Sequence, residues 1–234
     1  MPREIDHNER RERIAEAAWR VILREGVGGA SVRTVAAEAG QSVGSLRHVF
    51  YSQAQLLAFA LDLVVARAQS RVERLPPVSH PVAGVIAVAS ELLPLDIERR
   101  AEMEVYLALF TAAHADPDLR PSRDRAHAAM RGGAAWMIDQ LDNGTDLAPN
   151  CDRDLEARRL HAVIDGVASL LVAESADADP QWGLDVVVRH IRSLATGLRL
   201  ARISYRHARA GAKRHGRSTI HVRNLLRDSR RRHH

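Results

Sequence analysis

The stretch from Ser31 to Phe50 restricts this chain more than any other. Val32, Val35, Ala36 and Ala39 repeat at the three- and four-residue spacing of one helical face, and Gly40 stops that face. Gly40-Gln41-Ser42 leaves room only for a tight turn. Ser42 is then an N-cap residue type ahead of a second apolar set, Val43, Leu46 and Phe50. Two short helices packed through Ala36 and Ala39 and joined by so short a turn make a helix-turn-helix, which projects the outer face of its second helix into a major groove. On that helix Leu46 and Phe50 point inward, while Val43, Gly44, Ser45, Arg47 and His48 face out. The guanidinium fork of Arg47 matches guanine O6 and N7, Ser45 suits a phosphate or a base, and Gly44 admits close backbone approach. Arg33 and Thr34, at the start of the preceding helix, reach the groove edge, and Ser42 joins the candidate DNA-contacting set. The bland reading of Arg33, Arg47 and His48 is a solvated face, with Arg33 paired to Glu38 or a neighbour.

Helical patterning extends in both directions. Ile14, Ala17, Ala18, Val21 and Ile22 mark one face of a helix over 9–25, closed by Gly26, Gly28 and Gly29. Ser52 and Gln55 have the spacing of a capping box and open a fourth helix with Leu56, Leu57, Ala60, Leu61 and Val64. After Pro76, Pro77 and Pro81 the chain predicts helices over 81–93, 97–115, 121–142, 153–174 and 181–209. Asp96 and Asp179 stand at N-cap positions, Pro180 at a first helical position, and turns fall at Asp116-Pro117 and Asn143-Gly144. The expected fold is all-α: a three-helix helix-turn-helix domain over 1–57, a helical ligand-binding and dimerisation domain over 58–209, and a basic, disordered tail over 210–234.

Composition narrows the function. Aromatic residues are only 4% of the chain, and nothing alternates as a strand would. No apolar run nears the roughly 20 residues that span a bilayer, and Met1–Arg13 has no apolar signal core, so a soluble cytoplasmic protein without membrane contact is expected. The single cysteine, Cys151, excludes an internal disulfide and reads as an inert exposed thiol. The sequence holds no nucleophile elbow, metalloprotease pair or strand-borne glycine loop, so no catalytic residue and no cofactor are expected. Its twelve histidines are scattered without ligand spacing, and no metal site is expected.

The run Arg13–Ala18, Gly26, Ser31–Gly40, Val43–Phe50 and Ser52–Leu57 resembles the TetR family of bacterial regulators, with cap, glycine and core positions all in register. Leu92-Leu93-Pro94-Leu95-Asp96, Asp116-Pro117-Asp118-Leu119 and Ile164-Asp165-Gly166-Val167 resemble its choline/betaine-repressor branch. The resemblance implies a homodimer reading a palindromic operator on double-stranded DNA, most often as a repressor released by a small-molecule effector. It also implies a phosphate contact at the start of the fourth helix, where this chain has Gln53. Two positions depart from the family pattern: Val49 stands where His or Tyr is common, and Gln53 where Lys is common. Both are neutral, which leaves open an alternative, an interaction protein of the same fold that binds no operator.

Met103, Tyr106, Leu107 and Phe110, with Met130, Trp136 and Met137 on the next helix, read either as ordinary core or as the lining of an apolar effector pocket, with Tyr106, His114 or His127 supplying polarity. By the resemblance, the last two long helices build a dimer bundle through Leu160, Val163, Ile164, Val167, Leu171, Val187, His190, Leu194 and Gly197.

Charge is divided unevenly along the chain. Residues 199–234 hold twelve basic residues against Asp228 alone, a balance of +11, and leave residues 1–198 at −6. A polycation binds phosphates by releasing condensed counterions, whatever the base sequence. Deleting residues 211–234 is therefore expected to weaken binding to specific and random duplexes alike and to make log affinity against log salt shallower, with base preference unchanged. Fluorescence titrations over a range of salt concentrations measure this, and an unchanged salt slope on both duplexes excludes the tail from binding.

Overall fold

The computed structural model describes residues 2–143, 147 and 151–195, and among them there is no strand. The N-terminal part is α1 (Pro2–Glu25), a 3-10 turn (Val27–Gly29), α2 (Val32–Glu38), α3 (Val43–Arg47) and the first half of α4 (Gln53–Glu73). α5 (Pro81–Glu91), α6 (Ile97–Ala112), α7 (Arg120–Asn143), α8 (Arg153–Ala173) and α9 (Gln181–Leu194) follow. No helix among the described residues is long and apolar enough to cross a membrane. The tail over 210–234 and the continuation of the last helix to 209 lie outside the described residues.

Local chemistry sets most helix starts. Ser31, Ser42 and Ser52 each accept, at 3.1 Å, the amide hydrogen of the residue three positions on, and Asp96 accepts that of Arg99 at 2.8 Å. Each such cap contributes about 1 kcal/mol. Two starts differ from expectation. The Gln55 side chain closes on the amide of Tyr51 at 2.8 Å rather than on that of Ser52, because Ser52 is fully extended and turns the preceding amide toward it. Asp179 does accept the Gln181 amide, but Pro180 is itself the cap residue, one position before the expected first turn.

Two apolar cores meet along α4. Ile14, Ala18, Val35, Leu46, Phe50, Leu56 and Leu61 form the first, closed by Val105 and Leu109 of α6. Val72, Val85, Ile86, Met137, Ile138, Leu141, Leu160, Ile164 and Val187 belong to the second. The division expected after residue 57 thus falls inside a continuous helix whose two halves serve different cores.

Charged groups lock the seam. Glu102 of α6, a buried carboxylate, lies 2.7 Å from Arg71 and 3.9 Å from Arg67, both on α4. Arg67 also pairs with Glu16 of α1 and stacks 4.7 Å over the Trp19 ring. Arg71 and Arg99 share Glu91 at the end of α5, at 3.4 and 3.6 Å. Arg100 donates to the carbonyls of Leu171, Val172 and Glu174 at 2.6–2.8 Å, closing the C-terminal end of α8 from α6. Removing one member of such a buried pair leaves the other charge uncompensated. Glu102→Ala is expected to cost about 3 kcal/mol and lower Tm by roughly 6–12 °C, measured by thermal unfolding. Arg71→Ala is expected to add little in that background, whereas full additivity would show the two side chains to be uncoupled.

Candidate nucleic-acid interface

The turn between α2 and α3 is built from backbone hydrogen bonds. Gly40, at φ +64°, lets its own amide reach the Ala37 carbonyl at 3.1 Å and the Gln41 amide reach that of Ala36 at 2.9 Å. This paired closure needs the left-handed residue that glycine supplies without strain. Gln41 alone separates it from Ser42, the cap of α3, so the angle between the two helices is set within four residues. α3 itself is one turn long, too short to hold its shape alone, and is anchored by the fully buried Leu46 and Phe50. Two cations of α1 add to this. The Arg11 guanidinium lies 4.3 Å from the Phe59 ring centre and 5.3 Å from that of Phe50, a contact worth about 0.5–2 kcal/mol. Arg10 Nη2 donates to Ser45 Oγ at 2.5 Å and to the Ser45 carbonyl and Gln41 Oε1 at 3.2 Å.

Arg47, His48, Val43 and Gly44 are exposed on α3, and neither Arg47 nor His48 has a side-chain partner among the described residues. A β-carbon added at Gly44 would meet nothing nearer than Ser42 Oγ at 4.0 Å, so its outer surface is open. Arg33 is exposed on α2. The pairing with Glu38 weighed for it does not form, because Arg20 and Arg24 of α1 hold that carboxylate at 2.6 and 3.2 Å. Hydrogen bonds from Arg20, then Arg24, keep Glu38 below the usual carboxylate range. Gln53 is half-exposed at the first turn of α4. Two candidate contacts differ from expectation. Thr34 turns its hydroxyl onto the Gly29 carbonyl at 2.5 Å, away from the groove edge. Ser45 is half-buried and held by Arg10. Val49, at the position where the family often has His or Tyr, is 8% exposed and packs with Phe50. Arg10 and the 83%-exposed Tyr51, which follows α3, were not foreseen. The Arg10 contacts span more than thirty residues and leave no local signature.

The candidate effector-pocket residues are divided between the cores. Tyr106 packs on the first core, Met103, Met130 and Trp136 on the second, and Met137 is wholly internal to the second. Leu107 and Phe110 are half-buried on α6, with Phe110 5.4 Å from the Tyr106 ring. Burial, then the charge of Asp165, raises the Tyr106 phenol far above its ordinary value, so it stays protonated. His127 stacks 5.5 Å from His161, whose Nε2 lies 3.0 Å from Asp165 Oδ2. His114 turns back onto the carbonyls of its own helix. A shallow cleft opens elsewhere, between Pro76, Val78 and Gly84 on one side and Trp136 and Gln140 on the other. Trp136 alone of the expected pocket set lines it.

The residues expected at a dimer interface differ in how far one chain covers them. Leu160, Ile164, Val167, Leu171, Val187 and Leu194 are at most 6% exposed in a single chain, already covered by its own core. Val163 and His190 are half-exposed, and Gly197 lies outside the described residues. Cys151 is half-buried rather than exposed, and burial, then Glu156, raises its thiol above the ordinary value, away from the reactive thiolate. Among the described residues no group of histidine, cysteine and carboxylate side chains has the geometry of a metal site.

Comparison with known proteins agrees with this geometry. Residues 14–59 match the profile of bacterial regulatory proteins of the tetR family. Residues 81–196 match that of the C-terminal domain of BetI-type transcriptional repressors. The chain is 37% identical over 195 residues to the HTH-type transcriptional regulator PksA of Bacillus subtilis, covering 83% of this chain and 94% of that one. It is 35% identical over 88 residues to HdnoR, a nicotine-responsive transcriptional repressor of Paenarthrobacter nicotinovorans, covering 37% of this chain and 43% of that one. The fold superimposes with a TM-score of 0.69 on the crystal structure of a transcriptional regulator from Rhodococcus sp. Rha1, at 29% identity, covering 79% of this chain and 95% of that one.

Proposed function

Because the chain belongs to the TetR family of bacterial transcriptional regulators, we propose that it acts as a dimeric repressor whose α3 reads each half of a palindromic operator and which a small molecule releases. The observation that carries this reading is the outer face of α3. Arg47 and His48 stand exposed and unpaired among the described residues on a helix otherwise pinned by Leu46 and Phe50. Burial of Leu46 and Phe50 fixes the backbone that presents them, and Arg33 at the start of α2 flanks them. The competing reading, an interaction protein without operator binding, rested on the neutral Val49 and Gln53. The match of residues 14–59 to the tetR-family profile weighs against it.

The effector reading rests on the seam where α6, α7 and α8 bring Tyr106, Phe110, His127, His161 and Asp165 near the junction of the cores. Such a lining suits a small, mainly apolar molecule with one polar group to orient it. Binding there would act on α4 through α6 and α7, both of which pack against it.

Pairing would use the side of α8 and α9 that one chain leaves open. Leu170 and Val186 are 58% and 44% exposed, and His190 is half-exposed one turn beyond Val186. A β-carbon added at Gly166, one turn before Leu170, would meet nothing, which leaves room for close approach of a second helix.

Two experiments test this. Gel shifts with the DNA flanking the protein's own gene are expected to show a specific complex. Arg47→Ala should cost about 1–3 kcal/mol on that site and flatten preference at one base pair per half-site, and an equal loss on random DNA would reduce Arg47 to a phosphate contact. Leu170→Arg should yield monomers on light scattering, with helix content kept and operator binding lost. A dimer of unchanged mass would move the interface elsewhere.

A further inference from the structure

Gln41 occupies the single position between the closure of α2 and the cap of α3, at the leading end of the recognition helix. Its side-chain oxygen faces inward. Oε1 accepts from Arg10 Nη2 at 3.2 Å and from the Ser45 hydroxyl at 3.3 Å. An amide could in principle be turned over, but the alternative would set its NH2 against the Arg10 amino group, donor to donor, so the orientation is dictated by the cation. The Ser45 hydroxyl is spent in the same way, accepting from Arg10 at 2.5 Å and donating to Gln41. What remains is the Gln41 Nε2 group, with two hydrogens and no acceptor among the described residues, on a half-exposed side chain.

We propose that Arg10 is a positioning residue that fixes Gln41 as a donor-only reader of an acceptor edge in the major groove. The inference rests on the DNA-binding reading above and deepens it. A glutamine free to use both ends of its amide pairs with adenine, accepting from N6 and donating to N7. With its oxygen committed to Arg10 and Ser45, Gln41 cannot accept from adenine N6. It matches edges that only accept, the O6 and N7 of guanine or the O4 of thymine. The leading end of a recognition helix is where base edges are met in a helix-turn-helix complex, so the donor lies where such an edge would be. Ser45, exposed by sequence pattern yet occupied in the fold, serves as the second strut of this arrangement rather than as a contact of its own.

The test uses the full chain and two probes: the duplex it enriches from a random-core library, and a random-sequence duplex of equal length. Arg10→Ala and Gln41→Ala are each expected to weaken binding to the enriched duplex about tenfold. They should leave the random duplex nearly unchanged and broaden preference at the same base pair. The double variant should be no worse than Gln41→Ala, because Arg10 acts through Gln41, and Arg10→Lys should recover part of the discrimination. Thermal unfolding at an unchanged Tm separates this from general destabilisation. The proposal is overturned if the base preference of both single variants is unaltered, if their losses add in full, or if they fall equally on both duplexes, which would make Gln41 a phosphate contact. If the unaltered chain enriches no duplex, the DNA-binding reading itself fails and the proposal with it.

Discussion

A carboxylate taken out of water must be paired, and Glu102 is the point at which this chain meets that requirement. Its partners, Arg71 and Arg67, stand one turn apart on α4, and Arg67 reaches onward to Glu16 and the Trp19 ring on α1. Through them α1, α4 and α6 are held in one register, and Glu91 with Arg99 ties in α5. These pairs contribute little net free energy once desolvation is counted, but losing either partner would leave a buried charge uncompensated. The consequence reaches the recognition helix, because α6 supplies Val105 and Leu109 to the core on which Leu46 and Phe50 rest.

The N-terminal unit therefore has no core of its own in the strict sense. Ser31, Ser42 and Ser52 cap α2, α3 and α4, but caps only choose where a helix begins. The orientation of α3 comes from Phe50 and Leu46 beneath it, from Arg11 on the Phe50 and Phe59 rings, and from Arg10 on Ser45 and Gln41. The cation contacts bring in residues of α1 and α4, and the core beneath α3 includes Val105 and Leu109 of α6. A change in how α6 sits on α4 is thus felt at the base of α3, the physical coupling a ligand-responsive regulator of this family requires. α4 is well suited to carry it. It is one unbroken helix with Leu56 and Leu61 in the first core and Val72 in the second.

Polar chemistry divides between the two ends of the molecule in a way that fits the proposed roles. Around the helix-turn-helix, Arg33 and Arg47 are exposed and have no side-chain partner among the described residues. Arg20 and Arg24 are instead held on Glu38, and Arg10 on the turn. Toward α8 and α9 the partly covered polar groups are those suited to a small ligand or a second helix pair. They are a protonated Tyr106, the His161–Asp165 pair, and His190, which burial and then Arg159 keep below the ordinary imidazole value.

Information carried within about four residues was readable directly. The serine and aspartate caps, the Gly40 turn, the apolar periods of the helices and the outward Arg47 and His48 all follow from short spacings, because a cap or a helical face is a contact between near neighbours in sequence. Tertiary structure alone decided the rest. An apolar stripe on α8 announces burial without naming what covers it, so Leu160, Ile164 and Val167 turned out to be a chain's own core while Leu170 was left facing out. Ser45 looks outward by period, yet Arg10 holds it against the turn. Nothing near Arg10, Arg67 or Glu102 in sequence signals their partners, which lie 31 to 51 residues away for the hydrogen-bonded pairs. The chain thus carried its helices and the exposed reading face in local pattern, while the partners of each face and charge were settled by long-range packing, where a side chain's neighbours depend on every other helix at once.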